Sequence, residues 1–83
     1  AEGQAALGRR DYAAAETAAR EVIGSRDPAR QVDAQILLGD ALMGRRNYAG
    51  AFLAYDDARR RNPQGSRAPE ALVGIANSLI AQN

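Results

Sequence analysis

Few residues of this 83-residue sequence could perform acid–base or nucleophilic chemistry, because it contains no histidine and no cysteine. Asp56 and Asp57 are an adjacent carboxylate pair, a residue type that enzymes use as general acid and base. Arg59 and Arg60 follow at the spacing of helical ion pairs, and no nucleophile–base set, glycine-rich phosphate loop or metal-ligand cluster accompanies them. The sequence therefore predicts a chain that is not an enzyme and that uses no cofactor and no metal.

Arginine supplies all eleven basic residues, and ten acidic residues balance them to a net charge of +1. The run Arg59–Arg61 and the arginine pairs at 9–10 and 45–46 leave nucleic-acid binding open as an alternative. The near-neutral balance and the lack of aromatic residues between the arginines argue against it. No apolar run approaches the roughly 18 residues that a membrane span requires.

An internal repeat organises the chain. Gly-Arg-Arg-Asp-Tyr at residues 8–12 returns as Gly-Arg-Arg-Asn-Tyr at residues 44–48, which is 36 residues later. A helical pattern at this period predicts a stack of helical hairpins. We interpret Gly8 and Gly44 as left-handed C-caps, and Asp11 and Asn47 as the N-caps of the helices that follow.

Amphipathic spacing between these turns and the prolines predicts an all-α single domain of five helices in the order A-B-A-B-A. The predicted helices span about 2–8, 12–25, 29–43, 48–62 and 67–81. Repeat 1 covers about 1–28, repeat 2 about 29–64 and a partial repeat 3 about 67–83. The predicted buried residues are Tyr12, Ala15, Ala19, Val22 and Ile23, then Ala34, Leu38, Ala41 and Leu42, then Tyr48, Ala51, Phe52, Tyr55 and Ala58, and finally Leu72, Ile75, Ala76 and Leu79.

Repeat 2 carries most of the tetratricopeptide repeat (TPR) signature W-x2-L-G-x2-Y, A-x3-F, P. Leu38-Gly39, Ala51-x3-Tyr55 and Pro63 stand at its positions, and Gln35 and Leu42 replace its Trp and Tyr. The chain thus resembles the TPR family, which implies an α-solenoid. A generic antiparallel helical bundle is the alternative.

A narrower resemblance rests on residues 38–41 (LGDA), 46–48 (RNY), 62–63 (NP) and 67–72 (RAPEAL). These are similar to the C-terminal TPR domains of the Tol-Pal-associated family YbgF/CpoB. That resemblance implies a non-catalytic periplasmic adaptor of the Gram-negative cell envelope, which binds TolA and serves cell division. A generic cytoplasmic TPR scaffold is the alternative.

In such stacks the A helices line a concave groove that binds a partner segment. By position we expect this groove to be apolar in the middle and acidic at its edges. Such a groove would suit a protein segment with apolar anchors and basic flanks. The alternative is that its carboxylates, Asp33, Asp40 and Glu70, only solvate an exposed face. The predicted groove residues are Gln4, Leu7, Asp33, Ile36, Asp40, Met43, Glu70, Val73, Asn77 and Ile80.

The last helix, residues 67–81, has apolar residues on more than one side. Val73 and Ile80 lie beside the stripe that we expect to face the interior. Apolar surface without a covering helix favours association between copies. The sequence therefore predicts self-association through this helix.

Overall fold

A computed structural model describes residues 2–83, which form five α-helices and, within that range, no β-strand. They are α1 (Glu2–Gly8), α2 (Tyr12–Ser25), α3 (Gln31–Gly44), α4 (Tyr48–Arg61) and α5 (Ala68–Gln82). The predicted all-helical fold is confirmed. None of these five helices is long and apolar enough to cross a membrane.

Helix α3 lies at the centre of the fold. It packs along α2 and α4 and also touches α1 and α5, whereas α1 packs mainly on α2 and α5 mainly on α4. Because neighbours surround α3 on several sides, its buried residues occupy most of its circumference. The described residues span 32 × 29 × 18 Å.

The two repeated turns have the same backbone geometry. Asp11 N–H donates to the Ala6 carbonyl and Arg10 N–H to the Leu7 carbonyl, which is the Schellman pattern at a helix C-terminus. The second turn repeats both bonds through Asn47 and Arg46. Asp11 and Asn47 then cap α2 and α4 as predicted, because their side chains accept from Ala14 N–H and Gly50 N–H.

The prediction of left-handed glycine caps is wrong. Arg10 and Arg46 occupy the left-handed conformation, with φ of 60° and 63°, and no glycine in residues 2–83 has a positive φ. The helices continue through Gly8 and Gly44, so the left-handed position falls two residues later. Gly44 instead provides space, since a Cβ there would overlap the ring of Tyr12.

Between α2 and α3 the chain makes one 3₁₀ turn at Pro28–Arg30, where the sequence predicted the start of the third α-helix. The Asp27 carboxylate accepts from Ala29 N–H at 3.1 Å and holds this turn. Buried Gln31 donates from Nε2 to the Val22, Ile23 and Asp27 carbonyls at 3.4, 3.5 and 3.2 Å. Its amide thereby adds a donor to two carbonyls in the last turn of α2, where the helix supplies no i+4 N–H, and to the carbonyl of Asp27 in the turn that follows.

The core is built largely from alanine and leucine, and the buried ring of Tyr55 lies within it. This ring lies against glycines of two other helices. A Cβ at Gly39 of α3 would stand 2.5 Å from Tyr55 Cε1, and a Cβ at Gly74 of α5 would stand 2.6 Å from Tyr55 Cδ1. Both helices therefore approach the ring at positions where only glycine fits.

The predicted inner face of the last helix is largely wrong. Helix α5 buries Ala68, Ala71, Gly74 and Ser78, and it exposes Leu72, Ala76 and Leu79, while Ile75 is half-buried. The buried set lies 37 residues after Gln31, Ala34, Leu37 and Ala41, the side of α3 that faces α2. The exposed set lies 37 residues after Gln35, Gly39 and Leu42, the side of α3 that faces α4. Within the described chain no helix follows α5 to cover that side.

Candidate functional site

Three carboxylates that the sequence placed in the groove lie near one guanidinium group. Arg67, just before α5, donates to Asp33 Oδ1 on α3 through Nη1 at 2.7 Å. It also makes a bidentate pair with Glu70, at 3.0 Å from Nε and 2.8 Å from Nη2. Hydrogen bonding to Arg67 lowers the pKa of Glu70, and the bonds to Glu70 and Asp33 raise the pKa of Arg67. Arg67 thus ties the start of α5 to α3.

Asp40, the third of these carboxylates, is half-buried and accepts a 2.6 Å hydrogen bond from the Tyr55 hydroxyl. Burial raises the pKa of Asp40, and the bond from Tyr55 partly opposes that rise. Burial and the same bond raise the pKa of Tyr55. The charges of Glu70 and Arg67 also act on Asp40, so the residues that bind Arg67 and the Asp40–Tyr55 pair form one electrostatic group. We call this group the acidic cluster: Asp33, Asp40, Tyr55, Arg67 and Glu70.

The charge of this cluster is negative at neutral pH. Three carboxylates against one guanidinium give the cluster a net charge of −2 when all are ionised, and burial raises the pKa of Asp40. Asp33 and Glu70 are exposed, so a basic group of a partner can reach them. The predicted acidic edge is therefore one connected set of side chains.

A groove of about 350 Å³ adjoins the cluster between α1, α2 and α3. Asp33 and Arg67 stand at one side, and Gln4 of α1 lines it as well. Its apolar side chains belong to α2 and α3, whereas α1 contributes Gly3 and two polar residues. The lining residues are Glu2, Gly3, Gln4, Ala18, Glu21, Val22, Arg30, Asp33, Ala34, Leu37 and Arg67.

The remaining predicted groove residues differ in exposure. Ile36 is only 1% exposed and belongs to the core, so its assignment to the groove surface is wrong. The reason is the central position of α3, which leaves the side of Ile36 covered. Leu7 and Met43 are half-buried and pack against the core, whereas Val73, Asn77 and Ile80 are exposed on α5.

Four large apolar side chains of α5 are open to solvent. Leu72 and Leu79 are 52% and 51% exposed, and Val73 and Ile80 are 60% and 72% exposed. Exposed Ala76 lies between the two pairs. We call these five residues the outer face of α5.

The carboxylate pair on α4 is engaged in ion pairs. Asp56 accepts from Arg59 at 2.7 Å and from Arg60 at 3.1 Å, and Asp57 accepts from Arg61 at 2.7 Å. The hydrogen bond from Arg59 lowers the pKa of Asp56, which is opposite to the shift a general acid needs. The three arginines of this run are thereby partly neutralised on their own helix.

Arginines of the repeated turns also find acidic partners. Arg45 donates to Glu16 at 3.3 Å, and Glu16 also binds Arg20 at 3.0 Å. Arg9 lies 3.9 Å from Glu2. These pairs reduce the positive potential at the turns.

Sequence reasoning missed Arg67 and Tyr55 as members of the site. Arg67 precedes Glu70 by three residues, a spacing that predicts a helical ion pair. Its bond to Asp33 spans 34 residues and leaves no local pattern in the sequence. Tyr55 was assigned to the core from its spacing, which is correct for its ring, but periodicity says nothing of its hydroxyl.

Comparison with protein-family models, with characterised proteins and with solved structures found no match to this chain.

Proposed function

We propose that this chain is a non-catalytic adaptor of the tetratricopeptide type that binds a protein segment along the groove beside the acidic cluster. Two features support the stacked-hairpin reading. The turns at Arg10 and Arg46 share one geometry, and the buried face of α5 follows that of α3 at a constant offset. Repeated hairpins of this kind present extended binding surfaces.

The acidic cluster is the observation that carries the proposal. It places exposed Asp33 in the wall of a partly apolar groove, and it holds exposed Glu70 on Arg67, which lines the same groove. A segment with an apolar anchor and a basic residue next to it matches this arrangement, because the anchor fills the groove and the cation meets the carboxylates. The ion-paired carboxylates of α4 support a role without catalysis.

The family resemblance gives the proposal its biological setting. Residues 67–72 and the turn at 46–48 resemble the YbgF/CpoB family, so we place the adaptor in the Gram-negative periplasm, in the Tol-Pal system and cell division, with a TolA-like partner. A generic cytoplasmic TPR scaffold is the alternative. Fractionation of cells that express the full-length gene separates the two, since only the first reading predicts recovery with the periplasm.

The direct test is titration of the chain with a purified periplasmic fragment of TolA, followed by calorimetry. We expect Asp33→Asn to weaken binding about 3- to 10-fold, as expected for one lost charge–charge contact at a partly exposed site. Asp57→Asn is the matched control, because it removes the same charge from a carboxylate that pairs with Arg61 on α4. Equal affinities of the two variants would exclude the groove.

A gel-shift assay with single-stranded RNA tests the nucleic-acid alternative. We expect no shift of single-stranded RNA by the chain at low salt, because the arginine run of α4 is ion-paired. RNA binding that weakens steeply as salt rises would contradict the adaptor proposal.

The proposal includes a second contact, self-association of the chain through α5. Its basis is the outer face of this helix, which is exposed and apolar. Unlike the acidic cluster, this face contains no charged residue.

A further inference from the structure

We infer that the outer face of α5 pairs with the same face of a second copy, antiparallel and about a two-fold axis at Ala76. This inference rests on the self-association included in the proposed function and gives it a geometry. It concerns a surface other than the groove beside the acidic cluster.

The order of residues on this face is nearly the same in both directions. Leu72 and Val73 precede Ala76 by four and three residues, and Leu79 and Ile80 follow it by three and four. Reversal of the helix about Ala76 therefore places Leu72 opposite Ile80 of the second copy and Val73 opposite its Leu79. An isologous interface requires this kind of self-complementary patch.

The spacing also suits helix-on-helix packing. Val73, Ala76 and Ile80 follow the alternating three- and four-residue steps of a coiled-coil seam. The small side chain of Ala76 at the centre permits close approach of the two axes, in the range of about 8–10 Å. The equivalent position on α3 is Gly39, which is 37 residues earlier and also small. Helix α4 packs closely on α3 at that position.

Charge does not oppose the pairing. Residues 71–83 contain no charged side chain, so no like charges meet across the axis. Glu70, at the edge, is already paired with Arg67. One 15-residue helix per copy, about 22 Å long, supplies the whole contact. Stable dimers bury about 1,200 Å² or more, so we expect a pairing through one helix to be weak and to depend on concentration.

Single cysteines test the geometry in a chain that has none of its own. Ala76→Cys lies on the axis, so we expect mild oxidation to link it to itself. The two Leu72→Cys residues of the pair lie about 12 Å apart along the helix axis. That distance exceeds the 4.4–6.8 Å that a disulfide spans between Cα atoms, so we expect no disulfide between them. A mixture of Leu72→Cys and Ile80→Cys forms the mixed disulfide.

Light scattering at rising concentration supplies the second measurement. We expect Ala76→Arg to remain monomeric where the unaltered chain dimerises, and Ala13→Arg, at an exposed alanine of α2, to dimerise normally. Circular dichroism confirms that both variants remain helical. Self-linkage of Leu72→Cys would show parallel pairing, and a strict monomer would show that another occupant covers the face; either result overturns the inference. The response of partner binding to Asp33→Asn tests the adaptor function separately.

Discussion

The hydroxyl of Tyr55 donates a 2.6 Å hydrogen bond to Oδ1 of Asp40, and this bond joins α4 to the central helix α3. The donor belongs to a ring that is buried between two glycines, so its position is fixed by packing. Asp40 is half-buried, and the hydroxyl partly compensates for the water that it loses. The core and the acidic cluster therefore share one residue.

Tyr55→Phe tests that bond, because it keeps the ring and removes the donor. We expect the free energy of unfolding in urea to fall by about 1–2 kcal/mol, since a half-buried carboxylate loses its hydrogen-bond partner. In the background Asp40→Ala the same change should cost much less. Equal losses in both backgrounds would show that the two groups do not interact.

Gly39→Ala and Gly74→Ala test the close approach of α3 and α5 to the Tyr55 ring. We expect each to lower the free energy of unfolding by about 1–3 kcal/mol, because a Cβ at 2.5 or 2.6 Å from the ring forces the helices apart. Gly24→Ala on α2 is the matched control: a Cβ there meets nothing within 4 Å, so helix propensity should raise stability by up to about 1 kcal/mol. Stabilisation by all three changes would refute the packing argument.

Arg46→Gly tests the left-handed turn between α3 and α4. Arg46 has φ of 63°, a conformation that costs an L-residue about 1–2 kcal/mol relative to glycine. The unfolded chain gains entropy with glycine, so we expect a net stabilisation of roughly 0.5 kcal/mol. Thermal unfolding measures it, and Arg45→Gly, which removes an arginine at an ordinary negative φ of −88°, should destabilise instead.

Asp40→Asn and Glu70→Gln should change the pH dependence of stability in opposite directions. The pKa of Asp40 is raised by folding, so its ionisation lowers the stability of the unaltered chain as pH rises through the folded pKa. Relative to Asp40→Asn, the unaltered chain should therefore gain stability as pH falls, by less than about 1 kcal/mol after solvent screening.

Arg67 lowers the pKa of Glu70, so ionised Glu70 stabilises the folded chain at pH values above the ordinary glutamate pKa. This stabilisation disappears as pH falls through the folded pKa. The advantage of the unaltered chain over Glu70→Gln should therefore shrink in acid. Urea titrations at pH 3 to 7, roughly, compare the three proteins across both windows. The same sign for both variants would contradict the assigned environments.

The helices were predictable because their ends are local features. Asp11 and Asn47 cap the helices that they precede, and residues 62–67 interrupt the chain where expected. The left-handed position in each repeated turn was not predictable. Glycine is the usual residue at such a position, and nothing in the sequence marks Arg10 and Arg46 as left-handed.

Burial in α3 and α5 depended on tertiary neighbours. Ile36 was assigned to the surface because helix A positions in a stack often face a groove, but the central α3 is covered on that side as well. In α5 the large residues were assigned inward because large apolar side chains usually are buried. Gly74 packs inward instead, because the ring of Tyr55 leaves no space for a side chain there, and the small residues Ala71 and Ser78 are buried on the same helix.

The position of Tyr55 between Gly39 and Gly74 has a consequence for cooperativity. Detachment of α5 would uncover one side of a ring whose other side packs on α3, so α5 cannot detach without exposing buried aromatic surface. Stacked repeats often fray from their ends because each unit contacts only its neighbours. Here α3 and α5 both pack on the ring of Tyr55, so amide protons of α5 should exchange through the same global opening as those of α3.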